Sequence, residues 1–261
     1  LTSTIQGSSR ASANLFLRAK AVPGQISELL SILEDILFTT RLDNVERFRQ
    51  IVLEKKAGIE ASLTPGGHRF VNLRLRARYT EADWAAEKMG GISQLFFLRD
   101  LVDQIDRDWP TVMGKLEAIL DILLNRETMV FNVTLDRASW AIFEPKLFEF
   151  AGTIPSYGVA DQKWQPAARC KPEGLSIPAQ VNYVGTGANL FDFGYQPDGS
   201  MDVISNYLRA GWLWDQIRVQ GGAYGGFCQF NQRSGVFTFL SYRDPNLLRT
   251  LENFNRPADY L

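Results

Sequence analysis

Two kinds of apolar spacing run through this chain without settling into a regular βαβ order, and that most narrows the folds open to it. Helical spacing, with apolar residues three and four apart, recurs at Ile26, Leu29, Leu30, Leu33 and Leu37, and again at Phe48, Ile51, Val52 and Ile59, with Lys55 on the same stripe of an amphipathic helix. Asp43 and Glu46 stand in front of the second set at capping-box spacing. Further helices are predicted through Ile92, Leu95, Phe96, Val102 and Ile105, from Pro110 through Met113, Leu116, Leu120 and Leu123, and behind a capping Asp136 through Trp140, Phe143, Leu147 and Phe150. Short apolar or β-branched runs bounded by turn residues predict strands at Ala13–Val22, closed by Pro23-Gly24, at Thr128–Leu135 and at Val181–Val184. Near the end, Phe227–Phe230 and Val236–Tyr242 predict a hairpin around Asn231–Gly235. An Asp198-Gly199-Ser200 cap precedes a helix through Met201, Ile204, Tyr207, Leu208, Leu213 and Ile217, and Asp244-Pro245 opens a last helix. Such a mixture is α+β, an antiparallel sheet packed with helices.

One stretch is open on pattern alone. Val71–Tyr79 alternates apolar and polar residues as a half-buried strand does, while the neighbouring Glu81–Met89 favours helix strongly, so a continuous helix is the rival. Pro, Gly and short polar residues without period divide the chain into a unit over 1–150, a linker over 151–179 and a unit over 180–261.

Composition excludes several function classes. With Lys+Arg 28 against Asp+Glu 29 there is no electrostatic reason to expect nucleic acid as a partner. No apolar run approaches the roughly 20 residues that span a bilayer, so no membrane insertion is expected. The two cysteines, Cys170 and Cys228, show neither a disulfide framework nor a zinc spacing. The first ten residues, rich in Ser and Thr and free of acid, have the composition of an organelle transit peptide. A start at Leu1 and an end at Leu261 inside an unfinished pattern fit a piece of a longer protein better.

The chain has a single histidine, His68, so a Ser-His-Asp or Cys-His set could form only around it, and no His-Glu-x-x-His motif or its inverse can be written. Placed after Gly66-Gly67, His68 is expected to be a helix-start or surface residue. Val184-Gly-Thr-Gly-Ala-Asn-Leu190 lacks the third glycine of a dinucleotide fingerprint, and Asp198-x-Ser-x-Asp202 is too short for an EF-hand loop. The most unusual segment is Trp212-Leu-Trp-Asp-Gln-Ile-Arg-Val-Gln-Gly-Gly-Ala-Tyr-Gly-Gly-Phe227, where four glycines surround one tyrosine. Gly221 and Gly222 permit close backbone approach, and Arg218 with Tyr224 supplies donors that can hold a peptide carbonyl or the oxyanion formed from it. A glycine-rich turn with Arg218 in a salt bridge and Tyr224 in the core fits the same residues equally well.

That segment, extended to Cys228, closely resembles the signature in the C-terminal half of presequence proteases, two-halved zinc metallopeptidases of the pitrilysin family. Ile177-Pro-Ala-Gln-Val-Asn-Tyr-Val-Gly185, Ser234-Gly-Val-Phe-Thr-Phe-Leu-Ser-Tyr-Arg-Asp-Pro-Asn-Leu-Leu248 and Glu87-Lys-Met-Gly-Gly-Ile92 resemble the same family in the same order. The likeness is dense from Ile177 to Leu251 and patchier from Asn14 to Phe150. It implies two pitrilysin-type (LuxS/MPP-like) α+β domains, the second truncated, in one of two bowls that close over a peptide chamber. It implies zinc bound by the N-terminal half of the intact enzyme and none bound by this chain, which alone is expected to be inactive. The implied partners are that N-terminal half and unstructured peptides, in the mitochondrial matrix or chloroplast stroma. Arg218 and Tyr224 match the pair that holds the substrate backbone and stabilises the transition state. The resemblance also makes Gly67–Met89 helical, with Arg74, Arg76 and Arg78 spread around the helix on a solvated or chamber-facing surface.

Overall fold

The structure is a computed structural model that describes residues 2–3, 11–12, 14–158 and 172–261. It is α+β: helices α1 (Ile26–Glu34), α2 (Val45–Arg76), α3 (Glu81–Gly90), α4 (Ile92–Arg107), α5 (Trp109–Leu123), α6 (Arg137–Thr153), α7 (Ser200–Ala210), α8 (Leu248–Phe254) and α9 (Pro257–Tyr260) accompany five short strands. β1 (Thr2–Ser3) pairs with β2 (Ala11–Ser12), and β3 (Gly185–Asn189), β4 (Gly225–Phe230) and β5 (Val236–Tyr242) form an antiparallel sheet in the order β3-β5-β4. Two compact units interleave along the sequence, one of residues 1–14, 54–99 and 164–261, the other of residues 15–53 and 100–163.

In the second of these units, α1 and α6 meet face to face. Ile26 and Leu30 pack with Phe143, Phe150 and Ile154, which is the three-and-four spacing closing on itself. Asp136 caps α6 as expected, its Oδ1 accepting from the backbone N–H of Ala138 at 2.9 Å and Ser139 at 3.0 Å. Three expectations fail here. Residues 14–22 and 129–135 take no part in the strand pairing seen among the described residues, so neither is a strand; Ala13 is outside the described residues. Asp43 does not cap α2. Its carboxylate is bound by Arg41 at 2.7 Å, and Asn44 Oδ1 instead accepts from the N–H of Arg47 at 2.9 Å.

The unit that holds the sheet is a layered core. On one face, Leu208, Leu213, Ile217 and Phe254 pack against Cys228 and Phe237. On the other lies the second half of α2, and here the ambiguity over 71–79 is settled by contact. Val71 and Leu75, four apart, both press on Gly185, where a Cβ would sit 2.5 Å from Val71 Cγ1 and 2.8 Å from Leu75 Cδ1. Helical spacing was thus embedded in the period-two pattern. Asn72 joins the same face, donating to Gln229 Oε1 at 3.1 Å and accepting from Thr238 Oγ1 at 3.1 Å. The helix is not continuous to Met89: it ends at Arg76, and Thr80 starts α3 by accepting from the N–H of Asp83 at 3.1 Å.

The three arginines do not form a solvated surface, since each finds an acid. Arg74 Nη1 donates to Glu87 Oε1 at 3.2 Å and its Nε to Glu173 Oε2 at 2.9 Å, Arg78 reaches Glu173 at 3.6 Å, and Arg76 pairs with Asp83 at 2.5 Å. The Glu87 side chain is only 1 % exposed, and its Oε1 is met by this partner and by the N–H of Ser93 at 3.0 Å. Hydrogen bonding to Arg74 lowers the Glu173 carboxyl below its ordinary range, and Glu173 in turn raises the Arg74 guanidinium.

Three smaller expectations shift. The strand forecast at Val181–Val184 begins instead at Gly185, with Asn182 contributing a single bridge to Asp244. The helix forecast from Met201 to Ile217 breaks at Gly211 and resumes as a widened turn. Asp244-Pro245 opens no helix directly: Asp244, fully buried, accepts from the N–H of Asn246 at 2.8 Å and from Thr250 Oγ1 at 2.7 Å, and α8 starts at Leu248.

Candidate functional site

The unusual glycine-rich segment forms a single local device. From Trp214 to Val219 the chain winds as a π-turn, with the N–H of Gln220 reaching the carbonyl of Asp215 at 2.9 Å. Widened turns of this kind recur where a side chain must be re-aimed. Ile217 points into the core, while Trp214 and Arg218, four apart, stand outside it. The turn ends at Gly222, whose φ of 76° suits a residue without Cβ, and the N–H of Ala223 closes onto the carbonyl of Ile217 at 3.1 Å. Gly221 lets the backbone fold tightly, since a Cβ there would lie 2.5 Å from the Ile217 carbonyl oxygen. Asn246 Nδ2 donates to the Gly221 carbonyl at 2.5 Å, tying the turn to the buried Asp244 loop.

Directly after this turn Tyr224 enters the sheet, its N–H donating to the carbonyl of Tyr242 at 3.0 Å. Its ring meets the Tyr242 ring edge-on at 5.6 Å and is 65 % exposed. The Arg218 guanidinium lies 4.3 Å from the Trp214 ring centroid and 5.7 Å from that of Tyr224. Among the described residues Arg218 makes no ion pair and the Tyr224 hydroxyl no hydrogen bond, so both donors face outward unspent.

Both residues line a cavity of about 820 Å³, together with His68, Asn206, Arg209, Ala210, Trp214, Gly225, Gly226, Phe227 and Tyr242. The structure brings Arg218 and Tyr224 to the same cavity. Gly221 and Gly222 are not in the lining, and the structure gives them the turn-forming part just described. His68 stands, as expected, at a helix start, in the first turn after the kink at Gly66 inside α2; it lies beside Tyr242 at 4.9 Å and Phe227 at 5.9 Å between ring centroids, and burial with the charge of Arg69 lowers its pKa below the usual value. No signal in the sequence links it to Arg218.

No three His, Cys, Asp or Glu side chains among the described residues gather as a metal site, and the one histidine has no carboxylate against it. The donor set of a hydrolytic zinc site is not met by these residues. Cys228 is buried, its thiol pushed up to about 11 by desolvation, and Cys170 lies outside the described residues. No described helix is long and apolar enough to cross a membrane.

Comparison with known proteins gives this geometry its context. A family model described as PreP C-terminal domain matches residues 172–261, which hold Arg218 and Tyr224. A second, described as associated with subfamily C of the M16 peptidases, matches residues 1–101, which hold His68. Among similar proteins, presequence protease 1, chloroplastic/mitochondrial, of Arabidopsis thaliana is 38% identical over 264 residues, covering 100% of this chain and 24% of that protein. Protein HypA of Clostridium perfringens is 27% identical over 242 residues, 93% of this chain and 25% of its own length. The mitochondrial presequence protease of Yarrowia lipolytica is 26% identical over 252 residues, 95% of this chain and 25% of its own. The chain spans about a quarter of the length of these curated relatives. Matched along its length by such proteins, the chain falls among sequences associated with the M16 peptidases, subfamily C. Within that class, the chain belongs to the presequence-protease family.

Proposed function

We propose that this chain supplies the substrate-gripping wall of a zinc metalloendopeptidase that degrades targeting presequences and other unstructured peptides, and that Arg218 and Tyr224 are the residues that grip. The observation that carries the reading is the pair of unspent donors, a guanidinium and a phenol placed side by side on a cavity wall by the glycine turn. Held there in advance, they can bind a peptide carbonyl and bind the oxyanion developing from it more strongly, which is how a fixed donor lowers a barrier. The glycine turn contributes by setting where the donors stand. Zinc, expected in this family, finds no donor set among the described residues, so its ligands are assigned to the N-terminal half of the parent protein and no step is drawn through it here. On the same reading the chain alone lacks peptidase activity. The names of the similar plant and fungal proteins support a mitochondrial matrix or chloroplast stroma as the place where the parent works.

In the intact parent protein, Tyr224→Phe and Arg218→Ala should each cost about 2 to 4 kcal/mol of transition-state stabilisation, the scale of one lost oxyanion donor, with zinc content unchanged. Normal turnover in both variants overturns the assignment. A chamber wall that merely shapes the space, without taking part, would show that outcome.

A further inference from the structure

We infer that His68 is a third substrate-contacting residue of this site, a neutral imidazole whose Nε2–H donates to an acceptor on the bound peptide. The inference rests on the reading of Arg218 and Tyr224 given above and extends it to a residue from the other family-matched region of the chain. Three observations converge. His68 lines the same cavity as Arg218 and Tyr224, although it comes from α2 and they come from the turn before β4. Its Nδ1 is buried with no hydrogen-bond partner among the described residues. Its ring is set by aromatic neighbours on two sides, Tyr242 edge-on at 4.9 Å and Phe227 tilted at 5.9 Å.

The orphaned Nδ1 decides the tautomer. A neutral imidazole has one N–H donor and one bare acceptor nitrogen, and an imidazolium has two donors. Enclosing an N–H that donates to nothing forfeits a hydrogen bond to water, and enclosing a charged one costs more. The least costly form therefore carries its proton on Nε2 and leaves Nδ1 bare. With Nδ1 enclosed, Nε2 is the ring nitrogen left to meet anything that enters the cavity. The groups facing the ring do not favour a charged form: the cavity lining contains the guanidiniums of Arg209 and Arg218 and no carboxylate. The site thus presents three donors, from Arg218, Tyr224 and His68, on a floor of Trp214, Phe227 and Tyr242. That chemistry fits an extended peptide offering backbone carbonyls or an amide or hydroxyl side chain, and opposes a lysine or arginine at that position.

Two substitutions separate donor from prop. His68→Phe keeps a ring between Tyr242 and Phe227 and removes the donor; His68→Gln keeps an N–H near the place of Nε2 and removes the ring. Kinetics on the intact parent protein with an unstructured peptide should show KM raised roughly three- to tenfold in His68→Phe, the scale of one neutral hydrogen bond, with kcat within about twofold, and KM close to the unaltered value in His68→Gln. The reverse order, Phe tolerated and Gln impaired, would overturn the donor and leave only packing, as would equal tolerance of both. Arg218→Ala and Tyr224→Phe are measured in parallel. If they are impaired while His68→Phe is not, the inference about His68 fails and the wider reading stands; if they too are unaffected, the wider reading has failed first.

Discussion

The β4–β5 hairpin and the extended segments at 14–22 and 129–135 carry the same sequence signal, apolar and β-branched residues in short runs, yet they meet opposite fates. β5 has a neighbour on each side, and Val236, Thr238, Leu240 and Ser241 are buried. In the other unit Leu15 is 75% exposed, Phe16 61% and Val130 91%, and these runs join neither sheet among the described residues, although Met129 and Val133 rest against the α1–α6 core. The difference teaches that such a run predicts extended backbone, while a strand needs a partner that the run cannot name. The largest effect that could break the contrast is one of stability. Leu240→Ala, in the middle of the sheet, should cost about 2 to 5 kcal/mol, whereas Val130→Ala should stay within about 0.5 kcal/mol. Denaturant titration of the two variants checks this. Equal losses would mean that Val130 is buried against something in solution and that the contrast between the two runs does not hold.

What could be read in advance follows the range over which each interaction acts. Capping by Asp136, the face of α1, the hairpin and its turn are set by neighbours within a few residues, and the sequence shows them. Arg218 and Tyr224 were also legible, because the six residues separating them include the turn that places both. The fate of Arg74 and Arg78 was not, since it depends on Glu173 far along the chain. Nor was the place of His68 in the cavity, although Gly66-Gly67 does mark a boundary, a kink between two helical stretches where Gly66 departs from helical angles. The break before α3 lies between these extremes. Thr80 and Asp83 stand at cap spacing, a local clue that the resemblance to a helical region over 67–89 passed over. Thr80→Ala should remove the cap at a cost of about 1 kcal/mol, measurable as a lower midpoint of unfolding at unchanged slope. A change in slope instead would show that α3 had already been loose and that the sheet-bearing unit is less uniformly ordered than the contrast requires.

The smallest expected effect uses pH to separate the two units. Burial lowers the His68 pKa from its ordinary 6.5. As pH falls below 6.5 the unfolded chain therefore binds a proton that the folded chain does not, and stability declines until the lower folded value is reached. Above 6.5 neither state is protonated and the term is flat. Glu173 acts later: with its folded pKa held below the ordinary 4.5 by Arg74, its stabilising contribution is intact above 4.5 and is lost as pH falls through the folded value. The carboxylates of Asp108 and Asp136 that cap helices in the other unit are likewise lowered, from 3.8, and come apart only in more acid solution. Because the chain has one histidine, the decline that begins at 6.5 and precedes the carboxylates belongs to His68 and to the sheet-bearing unit alone. Unfolding midpoints measured from pH 8 down to about 5 should fall in the unaltered chain and stay level in His68→Phe. A slope that persists in that variant would place the responsible proton elsewhere and remove the evidence that this imidazole is kept neutral by its surroundings.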